Sequence, residues 1–373
     1  MTPDRSLKIL MTTDAVGGVW TYAALLSTAL ADAGHMVHLV TMGPGPRDDQ
    51  RAMVNHPRIC LIESSLALEW EDPAGIDVAH ARHALHMIDR AIQPDIIHLN
   101  SFREALFEWS APVIVVAHSC VKSWSIACRD QAWLSEPQWQ HYIKTIARAL
   151  ERADTWVSPS WSFRKVIDDL YRPTTPGLVI WNGVPIPSPR TTEKDAVVLA
   201  AGRVWDQAKN LSLLAEAARG LAYPVYLAGP GTLDSSDQAL KPLGYLSHAA
   251  LQDQMKRAAV FASPARYEPF GLSVLEAASV GCALILSDLP TFRELWDGAA
   301  IFANPSDAQG WHRVISDICS DDRKRHELQG RASDRASRYS LARTADAYQA
   351  LYHRLLASTS RSTTMGDVLG VPA

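Results

Sequence analysis

Short apolar runs of strand length alternate with stretches of helical spacing along most of the chain. LKILMTT at 7–13 reads as a buried strand, DAVGG as a turn, WTYAALLSTALADAG as a helix ended by Gly34, and MVHLVTM as a second strand. The strand signal recurs at 59–63, 95–100, 112–118 and 155–160, with helical spacing over 78–92 and 138–152. Strands alternating with helices predict a parallel sheet covered on both faces.

LVIWNGVPIPSPR at 178–190 crowds glycine and prolines after a short apolar run, which predicts a strand and then an interdomain linker. A second series follows. AVVLAAGR (196–203), the helical KNLSLLAEAARGL, PVYLAG (224–229), the turn PGTLDS, LGYLS (243–247), the helical AALQDQMKRA, VFASPA (260–265), CALILS (282–287) and AAIFANP (299–305) repeat the architecture without repeating the sequence. Helical patterns over 306–336 and 342–357 close the chain, and the aperiodic residues 359–373 are expected to lack order.

Composition narrows the class. With 47% hydrophobic residues over 373 positions the chain can fill sizeable cores, and a formal charge of −4 gives no global drive toward nucleic acid. The five cysteines form no C-x-x-C and no ligand-spaced cluster with histidine, so neither zinc nor a disulfide framework is expected and a reducing cytoplasm fits best. No run is long and apolar enough to predict a membrane span.

Candidate chemistry gathers at predicted strand ends. In RYEPFGLSVLEAASVG (266–281), Pro269 and Gly271 resist helix, so Glu268 falls in a loop and Glu276 near the start of the helix that follows. Amides freed at such a helix start favour an anion, and two acceptor-only carboxylates suit sugar or ribose hydroxyls; two solvated acids beside a capped helix are the plainer reading. Gly17 and Gly18 follow the first strand, where amides can approach a ligand without an intervening side chain, or simply make a tight turn. His118 ends a strand-like run, and His98 in DIIHLN reads better as a core histidine. Arg203 and Lys209 share one strand-to-helix mouth, a fork and a point charge suited to a diphosphate. The adjacent acids Asp48–Asp49, Asp168–Asp169 and Asp321–Asp322 read as solvated surface rather than as metal ligands. Trp124, Trp133 and Trp139, with Lys122, Arg129 and Lys144, suit a carbohydrate platform, a membrane surface or a packed helical hairpin.

Taken in order, Gly17-Gly18, His118, Asn182-Gly183-Val184, Arg203 with Lys209, the glutamates of EPFGLSVLE and a final helix resemble the retaining glycosyltransferases of family 4 over about residues 7–357. The resemblance implies the GT-B fold: two Rossmann-like, doubly wound α/β domains facing across a cleft. These would be an acceptor-side domain at 1–186 and a nucleotide-sugar-binding domain at 187–340, with a helix at 341–358 crossing back to the first. It implies that His118, Arg203, Lys209 and Glu268 serve catalysis, and that Gly17, Gly18, Phe270, Gly271, Leu272 and Glu276 bind the donor. Glu276 would hold the ribose, Glu268 the donor sugar, and the two cations the diphosphate.

No cofactor or metal is implied beyond a UDP- or GDP-sugar as donor substrate. The acceptor would be a carbohydrate or a lipid-linked molecule, with no nucleic acid involved and a cytoplasmic location that leaves peripheral contact at the membrane face open. One departure is that the loop reads Asp14-Ala15-Val16-Gly17-Gly18, without the lysine some relatives carry there. Other readings are a nucleotide-sugar epimerase, a phosphorylase on the same fold, or a non-enzymatic sugar-nucleotide sensor.

Overall fold

A computed structural model describes residues 5–187, 194–232 and 239–367, with side chains as far as 358. The first half contains β1 (Lys8–Asp14), α1 (Gly18–Asp32), β2 (Met36–Met42), α2 (Asp48–Met53), β3 (Ile59–Ile62), α3 (Val78–Ile92) and β4 (Ile96–Leu99). It continues through β5 (Val113–Val116), α4 (Val121–Cys128), α5 (Pro137–Arg152), β6 (Thr155–Ser158), α6 (Trp161–Tyr171) and β7 (Gly177–Val179). The second half runs β8 (Asp195–Ala201), α7 (Leu211–Ala218), β9 (Val225–Ala228), β10 (Leu240–Gly244), α8 (His248–Arg257), β11 (Ala258–Ser263) and α9 (Leu272–Ser279). It ends with β12 (Ala283–Ser287), α10 (Pro290–Trp296), β13 (Ile301–Ala303), α11 (Ala308–Ser320), α12 (Asp322–Ala336) and α13 (Leu341–Asp367).

Both sheets are parallel among the described residues, with orders β3-β2-β1-β4-β5-β6-β7 and β10-β9-β8-β11-β12-β13. Central strands such as β4, β5 and β12 are buried along their whole length, which is why their sequences are continuous apolar runs rather than alternating ones. In each sheet the order reverses beside the first strand of the series, between β1 and β4 and between β8 and β11. Ligands of open α/β sheets bind beyond the carboxyl ends of strands at such reversals.

The chain passes between the halves twice at one place. Val184 N donates to Tyr339 O (3.2 Å) and Leu341 N to Val184 O (2.9 Å), so the outgoing and returning segments are tied together. Helix α13 then packs on α1, with Tyr348 and Tyr352 fully buried in the first half. The Tyr352 hydroxyl lies 2.8 Å from Nδ1 of His98, whose Nε2 lies 3.3 Å from the Tyr22 hydroxyl. His98 is thus a core histidine.

Several local expectations shift. The pattern over 306–336 is two helices, because Asp321 accepts from Lys324 N and starts α12 rather than continuing α11. The strand expected at 243–247 is β10, displaced toward the N-terminus, and most of the expected PGTLDS turn lies outside the described residues. Helix α13 runs further than 357, and the end of the tail expected to lack order, 368–373, falls outside the described residues.

Candidate active site

The carboxyl ends of the two sheets face one another across a cavity of about 660 Å³, within the usual range for small-molecule sites. Gly17, Gly18 and His118 line it from the first half. Arg203, Lys209, Glu268, Phe270, Gly271, Leu272 and Glu276 line it from the second. All ten residues singled out in the sequence are therefore brought together.

Helix α9 starts just after Gly271, whose φ of +92° is left-handed and whose added Cβ would meet Phe292 at 3.0 Å, so only glycine fits without strain. No side chain caps the first amides of α9, which leaves them available to an anion. The Phe270 ring is buried edge-on to Tyr339, so its backbone is what it offers the cavity. Glu276 lies on the second turn of α9, deeper than expected, and is 5% exposed. Its Oε1 is 2.7 Å from Nε2 of His248 at the start of α8, and that hydrogen bond outweighs burial and raises the His248 pKa above its usual value.

The two cations meet carboxylates. Lys209 Nζ donates to Glu268 Oε2 at 2.8 Å, and Arg203 Nη2 donates to Asp206 Oδ2 at 2.5 Å. Asp206 is 4% exposed; its other oxygen accepts from Ala208 N (3.0 Å) and from the indole of Trp124 on α4 (3.1 Å). Burial would raise the Asp206 carboxyl, but Arg203, the Trp124 N–H and Lys209 prevail and hold it below the ordinary range. The Arg203 guanidinium stacks on the Trp205 ring at 5.0 Å and presses on the glycine loop, where a Cβ on Gly17 would sit 2.7 Å from Arg203 Nη1.

His118 is half-buried. Asn100 donates its amide nitrogen to Thr12 O at 2.7 Å, which turns its oxygen toward Nε2 of His118, 2.8 Å away. The imidazole therefore carries its proton on Nε2, and burial pushes its pKa down to about 3. It is neutral at ordinary pH and suited to hydrogen bonding rather than to acid catalysis.

The halves also meet at the rim. Tyr267 OH is 2.7 Å from Ser123 Oγ, Ser160 Oγ donates to Pro269 O (2.7 Å), and Tyr245 OH donates to Asp49 Oδ2 (2.6 Å). Glu294 on α10 accepts from Trp161 N (2.9 Å) and Ser162 N (2.6 Å), capping α6 from across the cleft. Sequence reasoning missed Asp206 and His248. Asp206 lay in plain view between Arg203 and Lys209, and His248 follows the cap Ser247, but only tertiary contact gives either a role.

Of the tryptophans of 121–148, Trp124 and Trp139 line the cavity, and Trp133 packs edge-to-face on Trp139 at 4.8 Å. The adjacent acids are accounted for by pairing: Asp168 and Asp169 with Arg164 and Lys165, Asp322 with Arg325, and Asp49 with Tyr245. Among the described residues, no group of three or more His, Cys, Asp or Glu is arranged to hold a metal ion, and no helix is long and apolar enough to cross a membrane.

Residues 16–186 match the family described as Glycosyltransferase Family 4, and residues 186–335 the one described as Glycosyl transferases group 1. A glycogen synthase of Mycobacterium tuberculosis is 24% identical over 350 residues, spanning 82% of this chain and 83% of the relative. The fold is similar to that of sucrose-phosphate synthase from Thermosynechococcus elongatus, with a TM-score of 0.77 at 18% identity over 95% of this chain and 100% of that one. It is also similar to Anabaena HepE, solved with UDP and glucose, with a TM-score of 0.71 at 16% identity over 94% of this chain and 100% of that one.

Proposed function

Because the chain belongs to glycosyltransferase family 4, we propose that it moves a sugar from a UDP- or GDP-sugar to an acceptor hydroxyl with retention at the anomeric carbon, in polysaccharide or glycoconjugate synthesis. The observation that supports this most is the meeting of Glu276, Glu268, Arg203 and Lys209 with the uncapped start of α9 in one cavity.

Glu276, held at one oxygen by His248, binds the nucleotide ribose with the other. Lys209 and Arg203 leave part of their pairing with Glu268 and Asp206 to the diphosphate, joined by the α9 amides. The bond between the anomeric carbon and the diphosphate oxygen breaks, the acceptor oxygen bonds to that carbon on the same face, and the acceptor proton passes to the departing diphosphate. Charge grows on the diphosphate during this step, where prepositioned cations are worth most. No enzyme nucleophile and no metal is needed in this reading. Glu268 and neutral His118 hold sugar hydroxyls.

The location we propose is the cytoplasm. Peripheral membrane contact through 121–148 has little to rest on, since Trp124, Trp133 and Trp139 are engaged within the protein.

A thermal-shift screen of nucleotide sugars tests the donor. The true donor at 100 times its dissociation constant should add about 2.7 kcal/mol of stability. A product of inverted anomeric configuration would contradict retention.

A further inference from the structure

The two walls of the cavity differ in how their acids are paired. On the second half Asp206, Glu268 and Glu276 meet Arg203, Lys209 and His248 beside the α9 amides, while on the first half the lining acids are Asp14, Asp49 and Glu69. The one arginine or lysine of that wall among the described residues is Arg47, which stacks on Tyr245 (4.1 Å) and lies 3.4 Å from Asp49. Behind the wall, Arg103 is shared between Asp72 (3.1 Å) and Glu104 (2.9 Å), all buried, so carboxylates outnumber cations there too. The glycine loop itself holds Asp14, whose Oδ1 accepts from Val16 N at 2.8 Å.

Glu69 points to a ligand. It is 7% exposed and lines the cavity, and its Oε2 accepts from Phe102 N (3.0 Å) and Arg103 N (2.8 Å). Its Oε1 has no hydrogen bond among the described residues. Burial and the Glu104 carboxylate raise its pKa, so it can accept from or donate to a hydroxyl. Next to it Trp70 is 39% exposed at the cavity wall, a flat apolar face beside polar groups.

We infer that the acceptor is an uncharged saccharide, with one ring laid on Trp70 and hydroxyls bonded to Glu69 and Asp14. A buried carboxyl with a free oxygen beside an open indole matches the alternation of hydroxyls and C–H faces on a sugar ring. The same wall disfavours a phosphorylated acceptor, whose charge would meet three carboxyl groups and a single lining arginine, Arg47, already placed against Asp49. This rests on the transferase reading and deepens it.

The test uses the full chain with whichever nucleotide sugar stabilises it, and follows release of nucleoside diphosphate. The uncharged probes are mono-, di- and trisaccharides of glucose, mannose, galactose and N-acetylglucosamine. The charged probes are glucose 6-phosphate, mannose 6-phosphate and phosphatidylinositol vesicles. At least one uncharged saccharide should raise release about tenfold over the acceptor-free rate, and no phosphorylated probe should match it. Trp70→Ala and Glu69→Gln should each raise the acceptor KM about tenfold while donor affinity stays within about twofold, a split that general loss of structure would not give. Trp70 is at the surface, so its replacement leaves the fold intact. Preference for a phosphorylated probe, no stimulation by any uncharged one, or an unchanged acceptor KM in both variants overturns the inference. Failure of the transferase reading would show earlier and separately, as no nucleotide sugar stabilising the protein.

Discussion

Trp124 of the first half donates its indole N–H to Asp206 of the second, 3.1 Å away, and the same carboxylate holds the Arg203 guanidinium. Placement of Arg203 is thereby tied to the approach of the two halves. Trp124→Phe keeps the ring and loses the donor. It should lower kcat about tenfold while leaving nucleotide affinity unchanged, since a hydrogen bond to a charged group contributes about 1.5 to 3 kcal/mol. Steady-state kinetics beside calorimetry check this, and equal losses in both would mean simple misfolding.

Gly17 and Gly18 give a paired control. A methyl on Gly17 meets Arg203 Nη1 at 2.7 Å, whereas one on Gly18 meets nothing within 4 Å. The Gly17 φ of −154° lies outside the left-handed region, so the contact with Arg203 is what distinguishes the two substitutions. Gly17→Ala should lose about tenfold to a hundredfold in turnover by displacing the guanidinium, with Gly18→Ala near wild type and both melting close to it.

Arg203→Ala and Lys209→Ala should each lower turnover by roughly 10² to 10³, more than they weaken donor binding, because the charge they meet develops as the bond breaks. Excess EDTA should leave wild-type initial rates unchanged. Activity abolished by EDTA and restored by Mg²⁺, with both variants near wild type, would assign that charge to a metal.

The pH behaviour follows from two histidines. His118, pushed down to about 3 by burial, stays neutral, so kcat should show no limb near 6.5 that disappears in His118→Asn. His248 has its pKa raised by Glu276, so the native state holds this proton more tightly than the unfolded chain. That contribution is full below the ordinary value near 6.5 and is lost as pH rises through the raised one. The melting-temperature gap between wild type and His248→Gln should therefore narrow from pH 6 to pH 9.

The strand ends were legible in the sequence because a buried parallel strand is a short apolar run, and whatever polar residue follows it stands at the sheet's carboxyl edge. Arg203 after AVVLAAG and His118 after VIVVA were found that way. Short helices such as α2 and α10 were not, since six or seven residues hold too few turns to display a period. The partners were hidden for another reason. Asp206, His248 and Glu69 take their meaning from Trp124, Glu276 and the Phe102 amide, which lie 82, 28 and 33 positions away. Glu294, which caps α6 from the other half, left no local signal either.

The central claim is that the cavity binds a nucleotide sugar through Glu276. Calorimetric titration of UDP- and GDP-sugars into wild type and Glu276→Ala tests it most directly. One nucleotide sugar should bind wild type, and the variant should lose about ten- to a hundredfold in affinity, the worth of a charge-assisted hydrogen bond. No binding to wild type, or equal affinity in a well-folded Glu276→Ala, would contradict it.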